Sequence, residues 1–169
     1  MIEKFLRYWL VNGFEGDEYY RRLCLFSSGS KSSNTAVNYI IQKRYQDVEL
    51  LVVTSQLKGN IFHRLSRLYQ LSKKTSWKFL AYKFYESFGG SSSVKLAREH
   101  RIPVIYCNDV NDRKVTSKIK SLGIDLCINC FVPHIFKSNT IQSAKLGVLN
   151  IHGSLLPKYR GLAQYFWYL

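Results

Sequence analysis

Asn150 and His152 are the residues of this chain best suited by type and spacing to chemistry. The run Val148-Leu149-Asn150-Ile151-His152 alternates as a strand does, and residues two apart on a strand point to the same face. The pair is therefore expected to project together from the carboxyl end of a strand. Gly153 and Ser154 then turn the chain, and Pro157 punctuates the loop that follows. A side-chain amide can donate to an oxygen that is gaining negative charge, while an imidazole moves a proton on an attacking amine. Together they suit acyl transfer. In isolation, Asn-x-His more often describes a strand entering a surface turn, with His152 merely hydrogen-bonded.

Two other stretches invite a chemical reading. Ser28, Gly29, Ser30, Ser33 and Asn34 belong to a small-residue loop between an apolar run and a helix. Backbone amides and hydroxyls at such a turn, with the helix dipole behind them, favour an anion. The plainer reading is a helix cap with neighbouring serines. Cys127-Ile128-Asn129-Cys130 is formally a CxxC, but it lies in an apolar strand-like run, where residues three apart face opposite ways. A zinc site would need a second ligand pair, so buried thiols and no metal are expected.

The elements that must position these residues alternate. Strands are expected over Leu23–Phe26, Glu49–Thr54, Pro103–Tyr106, Leu126–Phe131 and Val148–Ile151, and helices over Thr35–Tyr45, Val94–His100, Arg113–Leu122 and Ile135–Ala144. That order argues for an α/β fold with a doubly wound, mainly parallel sheet. Ligands of such sheets bind in the crevice beyond the strand ends, where Asn150 and His152 are expected. Residues 1–20 read as a leader and 21–169 as one domain.

The segment from Asn60 to Phe88 stands outside this pattern. It carries seven basic side chains or histidines (His63, Arg64, Arg67, Lys73, Lys74, Lys78 and Lys83) against one acid, Glu86. Trp77, Leu80, Ala81, Phe84 and Phe88 fall at helical spacing. The expectation is a basic, aromatic, two-helix insertion at about 60–90. Its alternative uses are a nucleic-acid surface or an interfacial helix.

Composition bounds the rest. The 169 residues are 46% hydrophobic and 21% charged, as in a globular chain. Lys and Arg outnumber Asp and Glu by 25 to 11, a net charge of +14 that favours polyanionic partners such as RNA. No run approaches the length of a membrane span, and the first ten residues are too interrupted by charge for a signal peptide. A cytoplasmic location is expected.

The run Asn150-Ile151-His152-Gly153-Ser154-Leu155-Leu156-Pro157-Lys158-Tyr159-Arg160-Gly161 resembles the active-site motif of the folate-dependent formyltransferases. Ile102-Pro103-Val104, Gly123-Ile124-Asp125-Leu126 and Lys145-Leu146-Gly147-Val148 fit the amino-terminal catalytic domain shared by methionyl-tRNA, phosphoribosylglycinamide and sugar N-formyltransferases. The resemblance implies a Rossmann-like domain that moves a formyl group from 10-formyltetrahydrofolate to a primary amine. It implies that Asn150 polarises the formyl carbonyl and His152 assists proton transfer. Phe131, Val132 and Pro133 match the wall against which the pterin packs, and Ser154, Leu155, Leu156, Pro157, Arg160 and Gly161 support the motif. Tyr159-Arg160-Gly161 is closer to the methionyl-tRNA and sugar enzymes than to the purine-pathway enzyme, and the basic charge fits RNA. The Ser/Gly/Asn loop is more like that of the enzyme acting on a phosphorylated ribosyl amine, and an amino sugar is the third acceptor class.

Enzymes of this family also use an aspartate further along the chain. In this chain the last acidic residue is Asp125, so the expectation is a formyltransferase domain incomplete at its carboxyl end. Such a chain would have impaired turnover. The non-enzymatic alternatives are an inactive remnant and a basic module that binds RNA or a membrane surface.

Overall fold

The computed structural model describes residues 22–54 and 92–152. The expected leader, the basic insertion at about 60–90 and the motif beyond His152 lie outside them. Within the described residues the strands are β1 (Leu23–Ser27), β2 (Val48–Thr54), β3 (Val104–Cys107), β4 (Leu126–Cys130) and β5 (Val148–Ile151). The helices are α1 (Lys31–Arg44), α2 (Ser92–Glu99), α3 (Arg113–Ser121) and the single turn α4 (Ser138–Ile141).

All neighbouring strands are parallel, in the order β3-β2-β1-β4-β5. This is the doubly wound sheet expected from the alternation. The sequence order of strands reverses between β1 and β4, and beyond their carboxyl ends lies the crevice where such folds bind ligands. β1 and β4 are buried along their whole length and mostly apolar because both faces are covered. Their alternate residues feed two cores. Leu23, Leu25, Ile128 and Cys130 pack with Ala36, Val37 and Ile40 of α1 and Val94 and Ala97 of α2. Cys24, Phe26 and Cys127 pack with Val115 and Ile119 of α3 on the opposite face.

Cys127 and Cys130 thus point to opposite cores, as their strand spacing requires. Both are buried free thiols. Among the described residues no cluster of His, Cys, Asp or Glu is arranged to hold a metal ion. Nor is any helix among them long and apolar enough to cross a membrane.

Local signals end the helices where β4 must begin. Gly123, at φ +61°, follows α3 in the left-handed region that glycine adopts at little cost. Its N–H donates to Lys120 O at 3.0 Å and that of Ile124 to Ile119 O at 3.3 Å, a Schellman closure. Arg22 O then accepts from Asp125 N at 2.9 Å, while Lys145 Nζ lies 2.6 Å from Asp125 Oδ1. These bonds tie the entry of β4 to that of β1 and to the turn before β5.

Two helices differ from the sequence expectation by more than two residues at an end. α1 begins at Lys31 rather than Thr35, because Ser30 caps it by accepting from Ser33 N at 3.3 Å. Half of the expected loop is therefore helix. The helix expected over Ile135–Ala144 shrinks to Ser138–Ile141, since side-chain bonds hold the chain before it in an irregular path.

Candidate active site

Asn150 and His152 stand where the strand argument puts them, at the carboxyl end of β5. Asn150 is exposed, Ile151 is buried, and His152 is half-buried just past the strand. That exposed, buried, half-buried order is the alternation a strand imposes. Ile151 anchors the strand in the core shared with α1 and α2. Asn150 has the opposite parity and lies on the side of Val148, which packs with the α3 core.

The register of β4 and β5 sets Asn129 beside Asn150. Asn129 is 6% exposed, and each end of its amide is bonded. Its Oδ1 accepts from Val132 N at 2.9 Å, and its Nδ2 donates to Asn150 Oδ1 at 2.8 Å, with a longer approach to Val132 O at 3.4 Å. A backbone N–H is always a donor, so the Val132 bond fixes which end of the Asn129 amide is oxygen. Asn150 must then offer its own oxygen to Asn129. The N–H groups of Asn150 are left directed away from that contact, in an exposed side chain.

Sequence reading missed Asn129, although a signal was present. An asparagine within an apolar strand has to find partners once buried. Which partners could not be read, because the adjacency of β4 and β5 is a property of the sheet order.

The turn after β4 places the three residues of the expected folate wall differently. Phe131 adopts φ +60°, a left-handed conformation uncommon for a bulky residue, and packs half-buried against the α1/α2 core. Val132 is buried in the α3 core, and Pro133 is exposed. Phe136 follows the same path and meets Phe26 edge-on, with ring centroids 5.0 Å apart. Val132 is thus committed to the interior, and of the three residues Phe131 and Pro133 keep accessible surface.

Asn111 pins the chain beyond Pro133. Its Oδ1 accepts from Lys137 N and Thr140 Oγ1, each at 2.8 Å, and its Nδ2 donates to Ile135 O at 3.0 Å and Asp109 Oδ1 at 2.8 Å. The hydrogen bond from the Asn111 backbone holds the Asp109 carboxyl below its usual range. His134 Nδ1 lies 3.7 Å from the same Asp109 oxygen.

Across the crevice, the Ser28–Asn34 stretch turns its polar groups inward. Ser33 Oγ accepts from Ser28 N at 3.0 Å, lies 2.9 Å from Ser27 Oγ, and donates to Cys130 O at 2.6 Å. Ser28 Oγ and Ser30 Oγ are 3.1 Å apart, and Gly29 N donates to Ser27 Oγ at 3.1 Å. Asn34 accepts from Ser93 Oγ at 2.6 Å and donates to Gly29 O at 3.3 Å. Ser33 and Asn34 thus join α1 to β4 and to α2, while the Ser28 and Ser30 hydroxyls bond to each other within the turn.

Comparison with known proteins agrees with this architecture. The chain is 42% identical over 67 residues to methionyl-tRNA formyltransferase of Rhodopirellula baltica, across 40% of this chain and 20% of that protein. It is 37% identical over 79 residues to the bifunctional polymyxin resistance protein ArnA of Wigglesworthia glossinidia brevipalpis, across 47% and 12% of the two chains. The chain thus spans a minor part of these relatives. Phosphoribosylglycinamide formyltransferase from Bacillus halodurans shares the fold, with a TM-score of 0.54 at 18% identity over 86% of this chain and 63% of that one. The sequence profile of the formyl transferase family matches residues 21–169, and the chain belongs to that family.

Proposed function

We propose that this domain transfers a formyl group to a primary amine, with Asn150 as the oxyanion donor and His152 as the proton carrier. Members of the family use 10-formyltetrahydrofolate as formyl donor. When bound, the folate supplies the formyl carbon. The observation that carries the reading is the direction of the Asn150 amide, whose oxygen is taken by Asn129 at 2.8 Å. Its N–H groups suit an oxygen that gains charge as the amine attacks. The half-buried His152 next in the alternation is suited to take the proton of the amine and pass it to the departing nitrogen. Phe131 and Pro133 give the crevice an apolar side against which a flat ring can pack.

For the acceptor, the likeness to methionyl-tRNA formyltransferase and the net charge of +14 support a tRNA-linked amine in the cytoplasm. The inward-turned serines weigh against a phosphate held by that loop, as a phosphorylated ribosyl amine would require. The test is transfer from 10-formyltetrahydrofolate to methionyl-tRNA, glycinamide ribonucleotide and nucleotide-linked amino sugars. Transfer to methionyl-tRNA that disappears with His152→Ala supports the reading. Transfer that survives both His152→Ala and Asn150→Ala overturns the roles of the two residues.

A further inference from the structure

We propose that Asn129 is a positioning residue that sets the polarity of Asn150, so that the site presents donors and not an acceptor. The inference rests on the role of Asn150 as oxyanion donor. An asparagine amide can turn over and exchange its donor and acceptor ends at almost no cost in shape. On an exposed strand end nothing in Asn150 itself chooses between the two. Asn129 makes the choice. Its oxygen is held by the backbone N–H of Val132 at 2.9 Å, so its nitrogen faces β5 and requires an oxygen there, 2.8 Å away. Its remaining N–H approaches Val132 O at 3.4 Å, so the amide has no second orientation that satisfies its neighbours.

The same side chain closes the turn in which Phe131 stands at φ +60°. One buried amide therefore sets both the donor and the adjacent wall. No other natural side chain of this size offers an acceptor to Val132 and a donor to Asn150. Aspartate keeps the first and loses the second, and leucine loses both.

The test uses the full chain, labelled with nitrogen-15, and follows the side-chain amide protons of the two asparagines. In the unchanged protein the Asn129 protons should exchange with water roughly tenfold or more slowly than those of Asn150. In Asn129→Asp the Asn150 amide should turn inward and become the protected one. Equal exchange of the two amides in the unchanged protein overturns the proposal, and this comparison decides the matter even if Asn129→Asp does not fold. An Asn150 amide that stays fast in a folded Asn129→Asp overturns it as well. In single-turnover transfer, Asn129→Asp should slow the step about 30-fold, short of the ~100-fold cost of deleting an oxyanion donor. Binding of the folate should meanwhile change less than about threefold. A loss explained wholly by the unfolded fraction makes Asn129 merely structural. If the unchanged chain transfers formyl to no acceptor, the reading of the site fails, and the exchange comparison alone judges Asn129.

Discussion

The loop after β1, rich in serine and asparagine, and the end of β5, which carries Asn150, both stand at strand ends beside one crevice. Their polar groups face opposite ways. Around Ser33 the bonds run inward, to Ser28, Ser27 and the Cys130 carbonyl, and the residue is fully buried. At Asn150 one bond runs inward, to Asn129, and the side chain is exposed. Residue type alone would rank the two regions alike. What separates them is whether hydrogen-bonding capacity remains after the fold has been satisfied. The first region is a polar joint between strands, and the second is a polar group held from behind.

The strongest way to break this contrast is to cut each region at its centre. Asn150→Ala should lower formyl transfer by ~100-fold or more at a stability cost of about 1 kcal/mol, since it takes from Asn129 Nδ2 an acceptor that water can replace at the exposed strand end. Ser33→Ala should do the reverse. It leaves a buried Ser28 N–H and a Cys130 carbonyl short of their partner, at a cost of about 2 kcal/mol. Transfer rate per folded molecule should stay within about twofold. Urea melts and single-turnover assays on both variants check the pair. A Ser33→Ala protein of full stability with lost activity would show that the loop belongs to the site.

The parallel sheet was legible because each strand is a short apolar run and each helix between them has one apolar stripe, as Val115 and Ile119 show in α3. The place of Asn150 and His152 at the end of β5 was legible for a related reason: the alternating run stops there. The helix expected over Ile135–Ala144 failed because local periodicity carries no information about Asn111, 24 residues earlier, whose side chain captures Ile135 O and Lys137 N. The serine loop was legible as polar but not as inward-facing. Its partner, the Cys130 carbonyl, lies 97 residues away in sequence. Asn129 escaped for the same reason. Long-range pairing decides where polar groups point, and composition does not record it.

Alkaline pH probes the joint beneath the loop. Burial raises the thiols of Cys24 and Cys130, and the buried Cys127 adds to the effect on Cys24. Burial also pushes Cys107 from 9.0 up to about 11. An acid whose folded value lies above its unfolded one keeps its proton longer in the native state. Its stabilisation is complete below about pH 9 and is lost as pH rises through the folded value. The urea midpoint should therefore fall between about pH 9 and about pH 11, and Cys130→Ala should flatten part of that fall. A midpoint that holds through that window would show that the strands under the loop are open to solvent.

The finest test of the contrast is Ser93, at the start of α2, which donates to Asn34 Oδ1 at 2.6 Å across 59 residues of sequence. It lies on the scaffold side of the comparison. Ser93→Ala removes one neutral hydrogen bond and leaves a buried acceptor with one partner fewer, so a loss of about 1 kcal/mol is expected. That is less than for Ser33→Ala, because no backbone donor is stranded. Ser93 bonds Asn34, the residue next to Ser33 in α1, so the two costs should fall short of adding, by about 0.5 kcal/mol or more. If the loop is a joint, both variants weaken the fold together and leave affinity for inorganic phosphate unchanged. If it is an anion site, phosphate protects the unchanged protein against urea and this protection disappears in the variants. Protection by millimolar phosphate that Ser93→Ala abolishes would erase the distinction between the two regions and return the loop to the binding of substrate.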